Sequence, residues 1–122
     1  GIIAKYRQFK DFLSYRYLLD IDGFCCAWKS LFLKLSSGSL VVKTQSDFLQ
    51  WYHERIIPWV HYIPVMKDYS DIMQILDWLA AHDNEARQIS ANARALMDKI
   101  DYYDASKAFA ELISSIIACQ RR

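Results

Sequence analysis

The stretch YLLDIDGFCCAWKS, residues 17–30, carries a short apolar run into a helical pattern through an acidic residue and a glycine. Its apolar start, Tyr17 to Ile21, is typical of a strand that is covered on both faces. Apolar side chains then follow at helical spacing, at Trp28, Leu31, Phe32 and Leu35. Asp22-Gly23 therefore begins a strand-to-helix loop, and in open α/β sheets such loops lie at the edge where ligands bind.

The flanking sequence continues this alternation of helices and strands. The predicted helices cover about 2–15, 28–35, 47–57, 70–82, 84–99 and 104–119, and the predicted strands cover 17–21, 40–43 and 59–63. Asp47 begins the third helix as its cap, Pro58 stops that helix, and Pro64 closes the third strand. The pattern predicts an α/β fold, a small Rossmann-like parallel sheet flanked by helices, with a helical C-terminal end. Since a doubly wound domain has more strands, we expect residues 1–122 to be a single, partial domain.

The composition suits one compact unit. Of the 122 residues, 53% are hydrophobic, which is ample for a core. The formal charge of +1, from 15 basic and 14 acidic residues, argues against a partner such as nucleic acid or an anionic membrane. No apolar run approaches the roughly 20 residues that cross a bilayer, and the apolar start is too short for a signal peptide. We therefore expect a soluble piece of a longer protein.

Cysteine and histidine form no pattern of a disulfide framework or a metal site. The chain has 3 cysteines, two of them adjacent, which favours a reducing compartment and buried packing over a reactive thiol. His53, His61 and His82 are scattered and form no HExxH motif, so we predict no metal site. The aromatic residues around Trp51 and Trp59 favour core packing over stacking on a sugar or base.

The loop after Asp22 has the physical features of an anion site. Unpaired amides and the positive dipole end of the following helix suit a phosphate, and Gly23 lets the backbone approach a ligand closely. However, the chain lacks the GxGxxG and P-loop motifs, so an ordinary strand-to-helix connection is the alternative. Asp20 and Asp22 point to one side of the strand, where they either form paired carboxylates or, as is more common at a strand end, cap the next helix or meet a basic side chain.

Several stretches follow one another in a distinctive order: LLDIDG at 18–23, WKSLFLKLSSGS at 28–39, LVVK at 40–43, QWYHERIIPWVHYIPV at 50–65 and DYSDIMQILDWLAAHDNEARQI at 68–89. In this order and at these separations they resemble the CAP10-type glycosyltransferases, glycosyltransferase family 90. The resemblance covers roughly residues 15–100. Within the family, the Trp28-x-x-Leu31-Phe32 variant is similar to the bacterial members that modify lipopolysaccharide.

The resemblance implies the C-terminal half of a GT-B enzyme, in which two Rossmann-like domains face a cleft and the C-terminal one holds the nucleotide sugar. It implies that the loop faces the nucleotide diphosphate, that Lys29 lies near an arginine position of eukaryotic members, and that Lys43 points into the cleft. The donor-binding residues expected from it are Asp22, Gly23, Phe24, Cys25, Cys26, Ala27, Trp28, Lys29 and Lys43. It also places the catalytic acid or base in the missing N-terminal half and implies no metal or cofactor.

Two functional hypotheses follow. The first is the donor-binding part of a glycosyltransferase that moves a hexose or pentose, from a UDP-sugar, to a lipopolysaccharide, another glycan or a protein hydroxyl. A bacterial member would be cytoplasmic or peripheral to the inner membrane, and a eukaryotic one would lie in the endoplasmic reticulum or Golgi lumen. The second is a truncated or degenerate homologue that serves as a binding or scaffolding module. It is favoured by Phe24-Cys25-Cys26-Ala27, since related loops are more polar.

Overall fold

A computed structural model describes residues 8–22, 28–47, 49–100 and 102–120 of the chain, without the side chains of residues 9, 28, 29 and 102–105. Its centre is a three-stranded sheet in the order β1, β2, β3. The strands are β1 Tyr17–Asp20, β2 Leu40–Thr44 and β3 Ile63–Val65. Both neighbouring pairs are parallel, with Asp20 beside Lys43 and Thr44 beside Val65. The carboxyl ends of all three strands therefore meet at one edge, which we call the carboxyl edge.

Of the described helices, one precedes the sheet, one connects its first two strands and three follow its last strand. They are α1 Phe9–Phe12, α2 Trp28–Ser36, α3 Ile72–Ala81, α4 Asp83–Lys99 and α5 Tyr102–Gln120. Helix α2 is the crossover between β1 and β2, the connection that parallel strands require. The predicted fold class, a small parallel sheet flanked by helices with a helical C-terminal end, is thus confirmed. No described helix is long and apolar enough to cross a membrane.

Side chains of β2 divide between two hydrophobic clusters because successive strand residues point to opposite faces of the sheet. Val41 belongs to one cluster, and Leu40 and Val42 belong to the other. The first cluster also contains Leu31, Leu35, Tyr52, Ile56, Ala93, Met97 and Ile100. The second also contains Ile63, Val65, Ile75, Leu79, Ala86 and Ile89. Helix α4 contributes side chains to both clusters, so it packs against both of them.

The helix predicted from Asp47 to residue 57 is wrong, because residues 51–55 form turns. The backbone amides there bond to carbonyls three residues back, with His53 N to Gln50 O and Arg55 N to Tyr52 O at 3.0 Å. The Gln50 amide donates to the His53 ring at 2.6 Å. This side-chain bond occupies a backbone donor and helps to hold the turn that competes with the helix.

The strand predicted over 59–63 is also wrong, since β3 begins only at Ile63 and includes Pro64. Trp59 has a φ of 64°, and its amide donates to Tyr62 O at 2.7 Å, which makes a turn of the segment before the strand. Proline is tolerated in β3 because it is an edge strand, where one side of the ladder needs no donor.

Two predictions near the chain ends differ from the structure as well. The first helix is only α1, with turns at residues 13–14, while the prediction for residues 2–7 falls outside the described residues. Cys119 is exposed on α5, so buried packing is wrong for this cysteine. Cys25 and Cys26 lie outside the described residues.

Candidate functional site

The carboxyl edge gathers charged groups that the fold buries. Asp20, the last residue of β1, is 1% exposed, and Lys43, its neighbour on β2, is 6% exposed. Asp22 follows two residues after β1, and His53 comes from the turn after β2. Since a buried charge is costly unless it is paired or hydrogen-bonded, the partners of these groups decide what the edge can do.

Asp20 is held by a lysine from α2. Lys34 Nζ lies 2.9 Å from Asp20 Oδ1 and donates to the Leu19 carbonyl at the same distance. The sequence left open whether this aspartate belongs to a carboxylate pair or meets a basic side chain, and the ion pair confirms the second interpretation. Asp20 Oδ2 is buried and finds no hydrogen-bond partner among the described residues. One half of the carboxylate is therefore structural, and the other half has no donor among the described residues.

The Thr44 side chain links the end of β2 to β1, whereas the Lys43 side chain bonds within its own strand. Thr44 Oγ1 donates to the Asp20 carbonyl at 3.3 Å, and Lys43 Nζ donates to the Thr44 carbonyl at 3.1 Å. An ammonium has three N–H donors. Within the described part of the chain, this one carbonyl is the acceptor that Lys43 reaches, so the buried cation keeps capacity for a ligand.

His53 adds a fourth polar group to the edge. Its Nδ1 accepts from the Gln50 amide at 2.6 Å, and its ring stands edge-on to that of Tyr52 at 5.4 Å. Burial lowers the pKa of His53, and the nearby Lys43 charge lowers it further, while Asp22 and Asp20 act in the opposite direction. The imidazole is therefore neutral at pH 7. Its Nε2 is buried and has no hydrogen-bond partner among the described residues.

Two adjoining cavities open at this edge. The first, of about 120 Å³, is lined by Lys43, Thr44, Gln45, Ser46, Leu49, His53, Ile56, Tyr62 and Pro64, and we call it the histidine cavity. The second, of about 250 Å³, is lined by Ile21, Asp22, Thr44, Gln45, Asp47, Lys67 and Tyr69, and we call it the aspartate cavity. Thr44 and Gln45 line both, so the two cavities meet just beyond the end of β2.

A larger cleft, of about 440 Å³, lies at the opposite edge, where Tyr17 and Leu40 begin their strands. Its arginines Arg16 and Arg87 both pair with Asp83 at the start of α4. This pairing joins the loop before β1 to α4 and partly neutralises these two arginines, while Arg94 also lines the cleft. The carboxyl edge is the stronger candidate site, despite its smaller cavities, because its charged groups are buried.

Comparison with known proteins then decides the family. The family model described as "Glycosyl transferase family 90" matches residues 1–113. The chain belongs to glycosyltransferase family 90. All the residues of the carboxyl edge lie within the matched range, so the site is part of the family domain.

Individual relatives agree with this assignment. Protein O-glucosyltransferase 2 of Danio rerio is 36% identical over 90 residues, which are 74% of this chain and 18% of that protein. Protein O-glucosyltransferase 3 of Homo sapiens is 29% identical over 120 residues, 92% of this chain and 24% of the relative. Protein O-glucosyltransferase 1 of Homo sapiens is 35% identical over 89 residues, which are 71% of this chain and 22% of that protein. The chain thus spans about a fifth of the length of these relatives.

The structure places part of the donor-binding set that the family resemblance implied. Asp22 lines the aspartate cavity and Lys43 the histidine cavity, so the fold brings these two together at the carboxyl edge. Trp28 and Lys29 form the start of α2, with side chains outside the described set. The loop residues Gly23, Phe24, Cys25, Cys26 and Ala27 lie outside the described residues.

Sequence reasoning missed two groups of this edge, His53 and Thr44. The sequence suggests His53 only as a possible metal ligand, and the predicted helix from Asp47 gives no reason to place it beside β2. The described residues include no group of three or more His, Cys, Asp or Glu side chains suited to a metal. The place of these two residues in the sequence could have revealed them, because residues at or just after the ends of parallel strands collect at one edge of the sheet.

Proposed function

We propose that the carboxyl edge binds the nucleotide-sugar donor, a UDP-sugar, of a glycosyltransferase. The observation that carries the proposal is the combination of buried, incompletely partnered polar groups with two adjoining cavities in a chain of family 90. Buried polar groups cost free energy unless they are bonded, so such groups are retained where a ligand supplies the missing partner. The donor-binding residues of the proposal are those named above from Asp22 to Lys29, together with Lys43.

The diphosphate is assigned to the loop after Asp22 and to the N-terminus of α2. A helix of 9 residues begins there at Trp28, and the first amides of a helix have no partner within the helix. Aligned peptide dipoles make this end positive, which stabilises an anion. During transfer the leaving nucleotide gains negative charge, so donors fixed in advance lower the barrier electrostatically. Lys29 and Lys43 add positive charge, and the proposed reaction uses no metal or other cofactor.

The proposed acceptor is a protein hydroxyl, because the relatives are named protein O-glucosyltransferases. A lipopolysaccharide or another glycan, favoured by the Trp28-x-x-Leu31-Phe32 variant, stays a prediction from the sequence. If the acceptor is a protein, the proposed location of this protein is the lumen of the endoplasmic reticulum or Golgi. If the acceptor is lipopolysaccharide, the proposed location is the cytoplasm or the periphery of the inner membrane. In this proposal residues 1–122 are part of a Rossmann-like GT-B domain, and the group that activates the acceptor hydroxyl lies outside them.

Calorimetric titration with UDP and UDP-glucose tests the proposal. We expect saturable binding to the wild-type chain and its loss in Gly23→Trp, because an indole at this position fills the space next to the backbone amides. The matched control is Leu76→Trp, which places the same side chain on an exposed position of α3 that is 47% exposed. The proposal is contradicted if the wild type shows no heat of binding at millimolar nucleotide, or if Gly23→Trp binds as tightly as the wild type.

A second candidate is a non-catalytic binding or scaffolding module. It is supported by the loop Phe24-Cys25-Cys26-Ala27, which has no side-chain hydroxyl or amide to meet a phosphate. This candidate predicts a folded protein that shows no heat of binding with UDP or UDP-glucose. The same titration therefore separates the two candidates.

A further inference from the structure

We infer that the cleft where β1 and β2 begin is a second ligand site, which binds a phosphorylated sugar. The cleft has a volume of about 440 Å³ and is lined by Arg16, Arg87 and Arg94, and we call it the arginine cleft. Its volume is typical of a small-molecule pocket. The inference does not rest on the proposed function, because the arginine cleft shares no lining residue with the two cavities of the carboxyl edge.

One wall of the arginine cleft is a stripe of side chains along α4. Asp83, Arg87, Ser90 and Arg94 follow one another at spacings of four, three and four residues, which place them on one face of the helix. Arg87 and Arg94 are two turns apart, or about 10 Å along the helix axis. The facing wall comes from the residues before β1 and from the connection between α2 and β2. The stripe therefore places two cationic side chains along one cavity.

Most N–H donors of these two arginines have no acceptor among the described residues. Arg87 donates from Nε to Asp83 Oδ2 at 2.8 Å, which leaves four of the five donors of its guanidinium. Arg94 is exposed and forms neither a hydrogen bond nor an ion pair with the described residues. Its Nη1 lies 3.6 Å from the point that a Cβ on Gly38 would occupy. Because a guanidinium fork matches two oxygens of a phosphate, the free donors suit this anion.

The described charges of the arginine cleft are unbalanced, since three arginines line it with one aspartate. Asp83 pairs with both Arg16 and Arg87, and these side chains are between 44% and 72% exposed, so a ligand can compete for the arginines. The excess is two positive charges. A phosphate monoester carries about 1.5 to 2 negative charges at pH 7 and balances this excess. A single carboxylate balances only half of it.

Serine oxygens supply acceptors for the rest of the ligand. Ser90 Oγ donates to the Arg87 carbonyl at 2.9 Å, and Ser14 Oγ donates to the Asp11 carbonyl at 2.8 Å. Both serines line the arginine cleft, and neither bond is buried. Since a hydroxyl has one donor and two acceptor lone pairs, these oxygens can still accept from hydroxyls of a ligand. Cationic donors beside hydroxyl acceptors complement a sugar that carries a phosphate.

The test is calorimetry of glucose 6-phosphate, inorganic phosphate and glucose with the wild type, Arg94→Gln, Arg94→Lys and Lys99→Gln. We expect the wild type to bind glucose 6-phosphate more tightly than inorganic phosphate and to show no heat with glucose. Arg94→Gln should weaken glucose 6-phosphate about tenfold, the effect of a lost hydrogen bond between charged groups. Arg94→Lys keeps the charge without the fork and should recover part of the loss. Lys99→Gln removes a charge from α4 outside the cleft and should bind like the wild type.

Urea unfolding of the same variants separates binding from folding. Because Arg94 has no ion pair with the described residues, Arg94→Gln should unfold at nearly the wild-type urea concentration. The inference is overturned if the wild type shows no heat with millimolar glucose 6-phosphate, or if Arg94→Gln binds it as tightly as the wild type. It is also overturned if inorganic phosphate binds as tightly as glucose 6-phosphate, because the sugar then makes no contact.

Titration of the donor-site variant keeps the two sites distinguishable. Gly23→Trp should bind glucose 6-phosphate like the wild type, and Arg94→Gln should bind UDP like the wild type. If Gly23→Trp loses glucose 6-phosphate, the sugar phosphate binds at the carboxyl edge and the inference is wrong. If the wild type binds glucose 6-phosphate but not UDP, the proposed function fails and the arginine cleft stands.

Discussion

At the scale of single residues, the ion pair between Lys34 and Asp20 connects the core to the site. Asp20 is 1% exposed, and the lysine that α2 supplies offsets the free-energy cost of burying its carboxylate. The sequence suggested a carboxylate at the end of β1 with a basic partner as one option, but it could not identify Lys34. The partner is 14 residues away, and only the packing of α2 on the sheet brings the two together.

We expect Lys34→Met to destabilise the fold by about 3 kcal/mol, because it leaves Asp20 charged and buried without its cation. Lys67→Met removes the ion pair with Asp47, in which the side chains are 52% and 82% exposed, and should cost under about 1 kcal/mol. Urea unfolding measures both. The double variant Lys34→Met with Asp20→Asn should regain part of the loss, and a loss as large as that of Lys34→Met alone would show that packing, not charge, is lost.

The lowered pKa of His53 predicts a pH dependence of stability. Below the ordinary pKa of 6.5 the unfolded chain takes up a proton that the folded chain refuses, so stability falls as the pH drops through that value. Above pH 6.5 this effect is absent. Urea unfolding of the wild type and His53→Gln from pH 7.5 to 5.5 should show a shallower decline in the variant. Parallel curves would assign the decline to other groups, such as His61, whose pKa is lowered too.

At the scale of elements, the spacing of apolar residues predicted the buried side chains correctly but was a poorer guide to the secondary structure of the backbone. Tyr52 and Ile56 are four residues apart and both are buried in one cluster, as the predicted third helix required. The backbone between them makes turns instead, because four-residue spacing also fits successive turns and His53 occupies the Gln50 amide. The order of β1, α2 and β2 was predictable since Gly38 marks a clear helix stop.

Gly38 is expected to be the least replaceable part of the connection between α2 and β2. Its φ is +85°, a conformation that costs an L-residue about 1–2 kcal/mol. A methyl group there would lie 3.6 Å from Arg94 Nη1, an ordinary contact, so Gly38→Ala should lose stability through the backbone alone. Gly38→Asn should cost less, because asparagine tolerates this region. Urea unfolding checks the order, and equal costs for the two variants would point to steric crowding instead.

At the scale of the whole molecule, the parallel sheet explains how distant segments form one site. Asp22 follows β1, Lys43 lies in β2 and His53 comes from a turn after β2, yet all three line cavities at the carboxyl edge. The family could be predicted from ordered motifs, and the family model confirms it over residues 1–113. The joining of the two cavities could not be predicted, since it depends on the turns after β2 and not on any motif.

A ligand that binds only the folded state must stabilise the whole fold, which gives the last prediction. If the carboxyl edge binds UDP, a concentration of 100 times Kd should add about 2.7 kcal/mol to the free energy of unfolding and raise the Tm. Lys43→Met should reduce this rise, because the buried ammonium beside the cavities contributes attraction for the diphosphate. Lys99→Met, an exposed change in the last turn of α4, should keep the full rise. An equal Tm increase in both variants at the same UDP concentration would place Lys43 outside the donor site.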